Sequence, residues 1–162
     1  MLVSDAPERW QHCGIVWRVI AMDVRLVAGN GGAHAEQMLA VHEKTATHAY
    51  AHIFSEPFPS TDVLARWAKH EGPVVLAVRR GDVIGFAAAN GDLLEALYVL
   101  PSDVGAGLGT ALLDAIGPVA RLWVLFENQS GRAFYERRGW RWGGVAQGAA
   151  DAGGVTELLY VR

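Results

Sequence analysis

Apolar residues recur along this chain in short runs separated by glycine-bearing turns, and three of these runs lie close together. Pro73 to Arg79 and Asp82 to Asn90 are joined by Arg80-Gly81-Asp82, and Asn90-Gly91-Asp92 leads into a third run, Leu93 to Leu100. Tight turns between such runs predict an antiparallel meander of three strands. Upstream, Asp23 to Ala28 reads as a first strand. After Gly29-Asn30-Gly31-Gly32 a helix is predicted from about Ala33 to Thr45, with Met38, Leu39 and Val41 among its apolar positions. A second helix, Ser60 to His70, opens on the cap candidates Ser60, Thr61 and Asp62 and stops at Gly72-Pro73. Between the helices, Thr47 to Pro59 reads as an aromatic, proline-bearing linker containing Tyr50, Phe54 and Phe58. Trp140 to Gln147 and Gly154 to Val161, around a Gly/Ala-rich turn, predict a closing hairpin.

The third run passes through Pro101-Ser102-Asp103-Val104 into Gly105-Ala106-Gly107-Leu108-Gly109, and from there into a helix stopped by Gly117-Pro118. Glycines at 105, 107 and 109 permit positive φ and close approach of the main chain to a ligand. The helix brings its unpaired amides and positive dipole end to the same turn, so the junction reads as an anion seat whose expected guest is a phosphate or pyrophosphate. A Rossmann fingerprint is absent, because Thr110 stands where the third glycine belongs, and no Gly-Lys-Ser/Thr marks a Walker loop. Glu127, about twenty residues beyond the glycines, is the feature that keeps a nucleotide-cofactor enzyme open as an alternative.

The run Leu97-Tyr98-Val99-x-Pro101-x-x-x-Gly105-x-Gly107-x-Gly109-x-x-Leu112-Leu113 resembles the acyl-CoA binding segment of the GNAT superfamily of N-acyltransferases. Downstream, Leu122 to Asn128 and then Phe134-Tyr135-Glu136-Arg137-Arg138-Gly139-Trp140 are similar to that family's strand, Asn, helix, Phe-Tyr-Glu and Gly-aromatic sequence. The resemblance implies an α/β GNAT-type fold, with a mixed, mostly antiparallel sheet of about six to seven strands flanked by about four helices. It runs from about residue 22 to residue 162, a single domain. Met22-Asp23-Val24 looks like the family's usual start. Residues 1–21 are therefore expected to be an N-terminal extension, either an added strand and tail or an upstream translation start.

The implied activity moves an acetyl group from acetyl-CoA directly to an amine of a small-molecule or peptide acceptor, in a ternary complex. The alternative on the same fold is a catalytically silent CoA-binding or regulatory module. Acyl transfer from a thioester demands a neutral acceptor nitrogen, a preplaced donor for the oxyanion and a proton for the departing sulfur. The resemblance places Tyr135 beside the sulfur as the acid, although the helix pattern alone also fits a core tyrosine next to Phe134. Glu95, a carboxylate within an otherwise apolar run, is the candidate base, and strand alternation puts it on the face of Leu93, Leu97 and Val99. Read without function, it is a partly solvated carboxylate near the start of the strand.

The oxyanion donor implied is a main-chain N–H near Leu97 to Val99. The implied coenzyme contacts are Leu97, Tyr98, Val99, Val104, Gly105, Ala106, Gly107, Leu108, Gly109, Thr110, Asn128 and Phe134. Asn128, or Ser130, is also a helix N-cap. Arg137 and Arg138 suit the negative end of their helix, and either could reach the coenzyme's 3′-phosphate. Family members usually carry Gln or Arg at the position of Val104, and often a basic residue at that of Ala106. Both are apolar here, so the diphosphate would rely on main-chain donors, the helix dipole and the Thr110 hydroxyl.

Composition narrows the picture further. With 162 residues, 51% of them hydrophobic, the chain suits one domain with a real core. A net charge of −3 without a basic run leaves no nucleic-acid footprint. The apolar stretch Gly14 to Val27 is broken by Arg18, Asp23 and Arg25, so neither a membrane span nor a signal peptide is expected. Cys13 stands alone, which suits a reducing cytoplasm. His42, His48 and His52 cluster in sequence without an H-E-x-x-H pattern, so no metal is expected, and a histidine lining the acceptor pocket is the better reading. Glu36, Glu43, Glu56 and Asp62 lend the acceptor half an acidity that suits a cationic amine. Homodimerisation, common in the family, stays open.

Overall fold

A computed structural model of the chain describes residues 16–21, 23–54, 57–148 and 154–162, so the first fifteen residues of the expected extension lie outside the described residues. The elements follow as β1 (Val16–Ala21), β2 (Val24–Gly29), α1 (Gly31–Tyr50), α2 (Ser60–Ala68), β3 (Val74–Arg79), β4 (Asp82–Asn90), β5 (Leu93–Val99), α3 (Leu108–Ala115), β6 (Arg121–Leu125), α4 (Gln129–Glu136), β7 (Arg141–Gly148) and β8 (Thr156–Val161). A 3-10 turn at Pro101–Asp103 leads from β5 toward α3.

One sheet in the order β1-β2-β3-β4-β5-β6-β8-β7 carries the fold, and every neighbour in it is antiparallel except the β5–β6 pair. This is the α/β architecture expected. Seven of its eight strands lie from Val24 onward, and the eighth is Val16–Ala21, paired with β2 at the edge. The meander β3-β4-β5 forms as predicted. Arg80 at φ 52° and Gly81 at φ 94° make the left-handed turn that the right-handed twist of a hairpin favours. β7 and β8 pair as the predicted hairpin, and β8 lies inside, against β6.

Two apolar layers flank the sheet. Leu94, Leu112, Leu113, Leu122 and Trp140 belong to the layer under α3, while Met38, Trp67, Phe86 and Ala96 belong to the layer under α1 and α2. β3 and the middle of β4 are buried on both faces, which is why they read as continuous apolar runs and not as alternating ones.

Three departures from the sequence reading shape the site. First, α1 does not stop near Thr45. It continues to Tyr50, so the first residues of the expected linker are helical. Nothing in Ala46-Thr47-His48-Ala49 breaks a helix, and Thr47 Oγ1 donates back to the Glu43 carbonyl at 2.6 Å. Second, α2 is capped by Pro59 with no side-chain bond. Ser60 Oγ instead donates to Glu43 Oε1 at 3.1 Å, which ties α2 to α1.

Third, β5 carries a bulge at Glu95. Leu94 pairs with Ala89 and Ala96 with Ala88, which leaves Glu95 as the extra residue. Side-chain alternation is reset there, so the face expected for Glu95 is not the one it takes.

Candidate active site

The glycine junction is braced before it is open. Arg79 on β3 donates to Asp103 from Nη1 at 2.5 Å and from Nη2 at 3.2 Å, and Ser102 Oγ donates to Asp103 Oδ2 at 2.8 Å. Burial alone would raise the Asp103 pKa, but these bonds and the Arg79 charge outweigh it and hold the carboxyl below its ordinary value. A carboxyl that titrates lower folded than unfolded contributes its stability fully above the unfolded pKa and loses it as pH falls through the folded one. Asp103→Asn is accordingly expected to lower the melting temperature by about 2–4 °C at pH 7. Its gap from the wild type should close below about pH 4, a trend that melts across a pH series would check.

Beyond this brace the chain turns outward. Val104 is 71% exposed. Gly105 at φ 88° and Gly107 at φ 81° hold left-handed conformations, and a Cβ at either would meet nothing within 4 Å. Gly107 caps α3, and the first main-chain bond of the helix runs from the Ala111 N–H to the Gly107 carbonyl at 3.1 Å. The amides of Leu108, Gly109 and Thr110 thus meet the empty side of the loop without helical acceptors, an arrangement built for an anion.

Gly109 departs from the expectation of positive φ. It lies in the first turn of α3, where a Cβ would stand 3.3 Å from Phe134 Cε2, so its role is to admit the Phe134 ring. Leu108 points its side chain into the core, which leaves only its main chain for a ligand.

A cation borders this seat from α4. Arg138 Nη2 donates to Thr110 Oγ1 and Nη1 to the Phe134 carbonyl at 2.8 Å, with the guanidinium 3.7 Å from the Phe134 ring centroid. Guanidinium only donates, so Thr110 must accept here and keeps its own hydroxyl hydrogen for a ligand. Arg138 thus sets a positive charge beside the seat, where Val104 and Ala106 are apolar.

From the seat, β5 leads inward along an open edge. β5 and β6 pair only at Leu93↔Arg121 and Leu94↔Leu122, and then part. On its other side β5 stays bonded to β4, and the Leu100 N–H donates to the Ile84 carbonyl at 2.9 Å. Ladder alternation then turns the main-chain groups of Leu97 and Val99 toward the gap. Thr45 Oγ1 donates to the Val99 carbonyl at 3.2 Å, leaving the amides facing the opening. The Leu97 and Val99 side chains pack on the α3 layer, whereas the Tyr98 ring goes the other way and stacks on His42 at 4.2 Å. By the same alternation the main-chain N–H and C=O of Tyr98 turn to β4, so neither its ring nor its amide faces the gap, unlike the expected coenzyme contact.

The opposite wall comes from α4 and, unexpectedly, α1. Asn128 Oδ1 accepts the Gly131 N–H at 2.9 Å as the helix cap, and its Nδ2 donates to the Tyr50 hydroxyl at 2.9 Å. Tyr135 packs against Phe134 and Trp140, with ring centroids 5.1 and 5.9 Å away. Part of its side chain is exposed, but burial around the hydroxyl, reinforced by Tyr50, raises its pKa well above the usual phenol range. Burial likewise raises that of Tyr50, against the hydrogen bond from Asn128. The structure thus brings Tyr135, Asn128 and Phe134 together as expected and adds Tyr50. A signal for Tyr50 lay in the stripe Met38, His42, Ala46, Tyr50, spaced by four residues along one helix face. Glu136 of the Phe-Tyr-Glu run is structural, accepting the Tyr160 hydroxyl at 2.6 Å and so tying α4 to β8.

Glu95 stands apart from this cluster. Its Oε2 lies 3.1 Å from Nδ1 of His70, beside Trp67 on the α2 side of the sheet, and not on the face of Leu97 and Val99. The bulge is the physical reason, because it places Glu95 and Ala96 consecutively toward α1 and α2. Glu95 and His70 line an open hollow of about 330 Å³ together with Arg66, Lys69 and Asn90. On the same side His42 accepts the Trp67 indole N–H at 3.3 Å, and burial, helped by the Arg66 charge, lowers its pKa to about 4. It is a neutral ring wedged between Phe58 and Tyr98.

Comparison with known proteins places this geometry. Residues 70–141, which span the meander, the glycine junction and the Phe-Tyr-Glu helix, match the family described as acetyltransferase (GNAT) domain. No curated protein matches the chain significantly. Among solved structures, apo-form YjaB from Escherichia coli is similar with a TM-score of 0.69 and 20% identity, covering 86% of this chain and 97% of that one. The PaiA N-acetyltransferase from Thermoplasma acidophilum, in complex with coenzyme A, has a TM-score of 0.65 and 17% identity over 87% of this chain and all 100% of its own. A ribosomal-protein-alanine N-acetyltransferase from Brucella melitensis has a TM-score of 0.61 and 18% identity, with coverages of 85% and 98%. At these identities the structures speak for the fold, and residues 70–141 are similar to the GNAT acetyltransferase domain.

Proposed function

We propose that this protein transfers an acetyl group from acetyl-CoA directly to an amine of a small-molecule or peptide acceptor. The observation that carries the reading is a continuous donor track. Free amides of Leu108, Gly109 and Thr110 at the seat are followed by those of Val99 and Leu97 along the open edge of β5, near the cluster of Asn128, Tyr50 and Tyr135. A solved protein of this fold holds coenzyme A, and a diphosphate on the seat would lay the pantetheine arm along that edge.

The residues then divide the work. The acceptor nitrogen attacks the thioester carbon and the C–S bond breaks. Tyr135, kept protonated by its burial, donates to the leaving sulfur. Glu95 takes the proton lost by the amine. Its place on the α2 side of the sheet fits an acceptor that enters from the face opposite α3, with the polar hollow as a route for the proton to solvent.

Incubation with acetyl-CoA and a panel of amines, with free thiol as the readout, tests the reading, and release of coenzyme A no faster than without an acceptor would refute it. Glu95→Gln is expected to lower turnover about a hundredfold near pH 6.5, where the acceptor is an ammonium. The loss should shrink as pH rises and the acceptor deprotonates unaided. Equal losses across pH would remove Glu95 as the base.

A further inference from the structure

We propose that Tyr50 is a second catalytic phenol, whose hydroxyl donates a hydrogen bond to the acyl carbonyl oxygen during transfer. The inference rests on the acyl-transfer reading and goes beyond the residues that the sequence resemblance supplies. α1 covers one face of the sheet while α4 carries Phe134 and Tyr135 against the layer on the other, yet Asn128 at the head of α4 and Tyr50 at the end of α1 share a hydrogen bond of 2.9 Å. Such a contact passes where β5 and β6 have parted, the same opening that the Leu97 and Val99 amides face.

Proton direction is settled by the neighbours. Asn128 Oδ1 is committed to the Gly131 N–H and also accepts from Ser130 Oγ at 3.2 Å, so the group facing Tyr50 is the NH₂, which only donates. The Tyr50 oxygen therefore accepts from Asn128, and its own hydrogen has no acceptor among the described residues. Of the atoms at the reacting end, the attacking nitrogen needs its lone pair for the new bond, and the sulfur receives the proton of Tyr135. The carbonyl oxygen is left, and it gains negative charge as the nitrogen adds. A phenol on one side and β5 amides on the other form a two-sided oxyanion site. Tyr50 gives up no proton, so the balance of the reaction is unchanged.

Tyr50→Phe keeps the ring and its edge contact with Phe54 at 6.1 Å, and removes only the hydroxyl. The variant is expected to bind coenzyme A by calorimetry within about twofold of wild type while kcat falls about a hundredfold. Asn128→Asp is the second arm. Aspartate still caps the helix, but its second oxygen accepts where the amide donated and draws the Tyr50 hydrogen to itself, so a comparable fall in kcat is expected. A wild-type kcat in either variant, or a fall in kcat matched by an equal loss of coenzyme affinity, would overturn the role of Tyr50 and leave the acyltransferase reading standing. A wild-type protein that binds coenzyme A but acetylates no amine would overturn both.

Discussion

Replacing Tyr135 with phenylalanine is expected to lower kcat for acetyl transfer by about a hundredfold or more, with acetyl-CoA affinity held within about twofold. The ring contacts with Phe134 and Trp140 survive the change, so the helix keeps its seat against the core. What is lost is one O–H whose high pKa keeps it protonated throughout the working range. A coenzyme thiolate that must leave without a proton is a poorer leaving group, and the deficit should narrow for acyl donors with more acidic thiols. Unchanged kcat in Tyr135→Phe would assign the residue to packing alone, with the proton coming from water.

Gly107→Val is expected to weaken acetyl-CoA binding by at least about tenfold in calorimetry, because it acts on the seat twice. At φ 81° a β-branched residue costs about 1–2 kcal/mol of backbone strain, and relaxing that strain re-aims the first amides of α3. The side chain would also stand in the open space where a diphosphate must approach, since a Cβ there meets nothing of the protein within 4 Å. The same openness means that no core contact is broken, so melting should shift by only a few degrees. Affinity unchanged in this variant would move the diphosphate away from the glycine junction.

Gly107 took the left-handed conformation read from the sequence, and Tyr135 packs beside Phe134 as the helix pattern allowed, because both placements rest on local rules. Left-handed glycines before a helix, and an aromatic pair on an amphipathic turn, are decided within a few residues. The meander was legible for the same reason, its turns being written as Arg80-Gly81 and Asn90-Gly91 between apolar runs. Gly109 was misread because its smallness answers to Phe134, a residue 25 positions away that no local rule connects to it. Tyr50 was assigned to a linker because nearby prolines and aromatics made its surroundings look like one, when the helix was continuing underneath.

Glu95 marks the boundary most clearly. Its oddity, a charge within an apolar strand, is plain in the residues. Its direction depends on a one-residue bulge against β4, and period-two alternation cannot anticipate an insertion of one. Arg138 is similar: its charge was visible, but its meeting with Thr110 needed α3 and α4 packed side by side.

Periodicity and turn chemistry were thus sufficient for the β3-β4-β5 meander and for the left-handed glycines ahead of α3, since each is a short-range property of the chain, while the α/β fold as a whole was implied by the family resemblance. Long-range packing alone decided which faces meet across the parted strands, which way Glu95 points, and that a phenol from α1 reaches Asn128. These outcomes depend on register and on helix ends arriving from distant segments, and no single stretch of residues contains them.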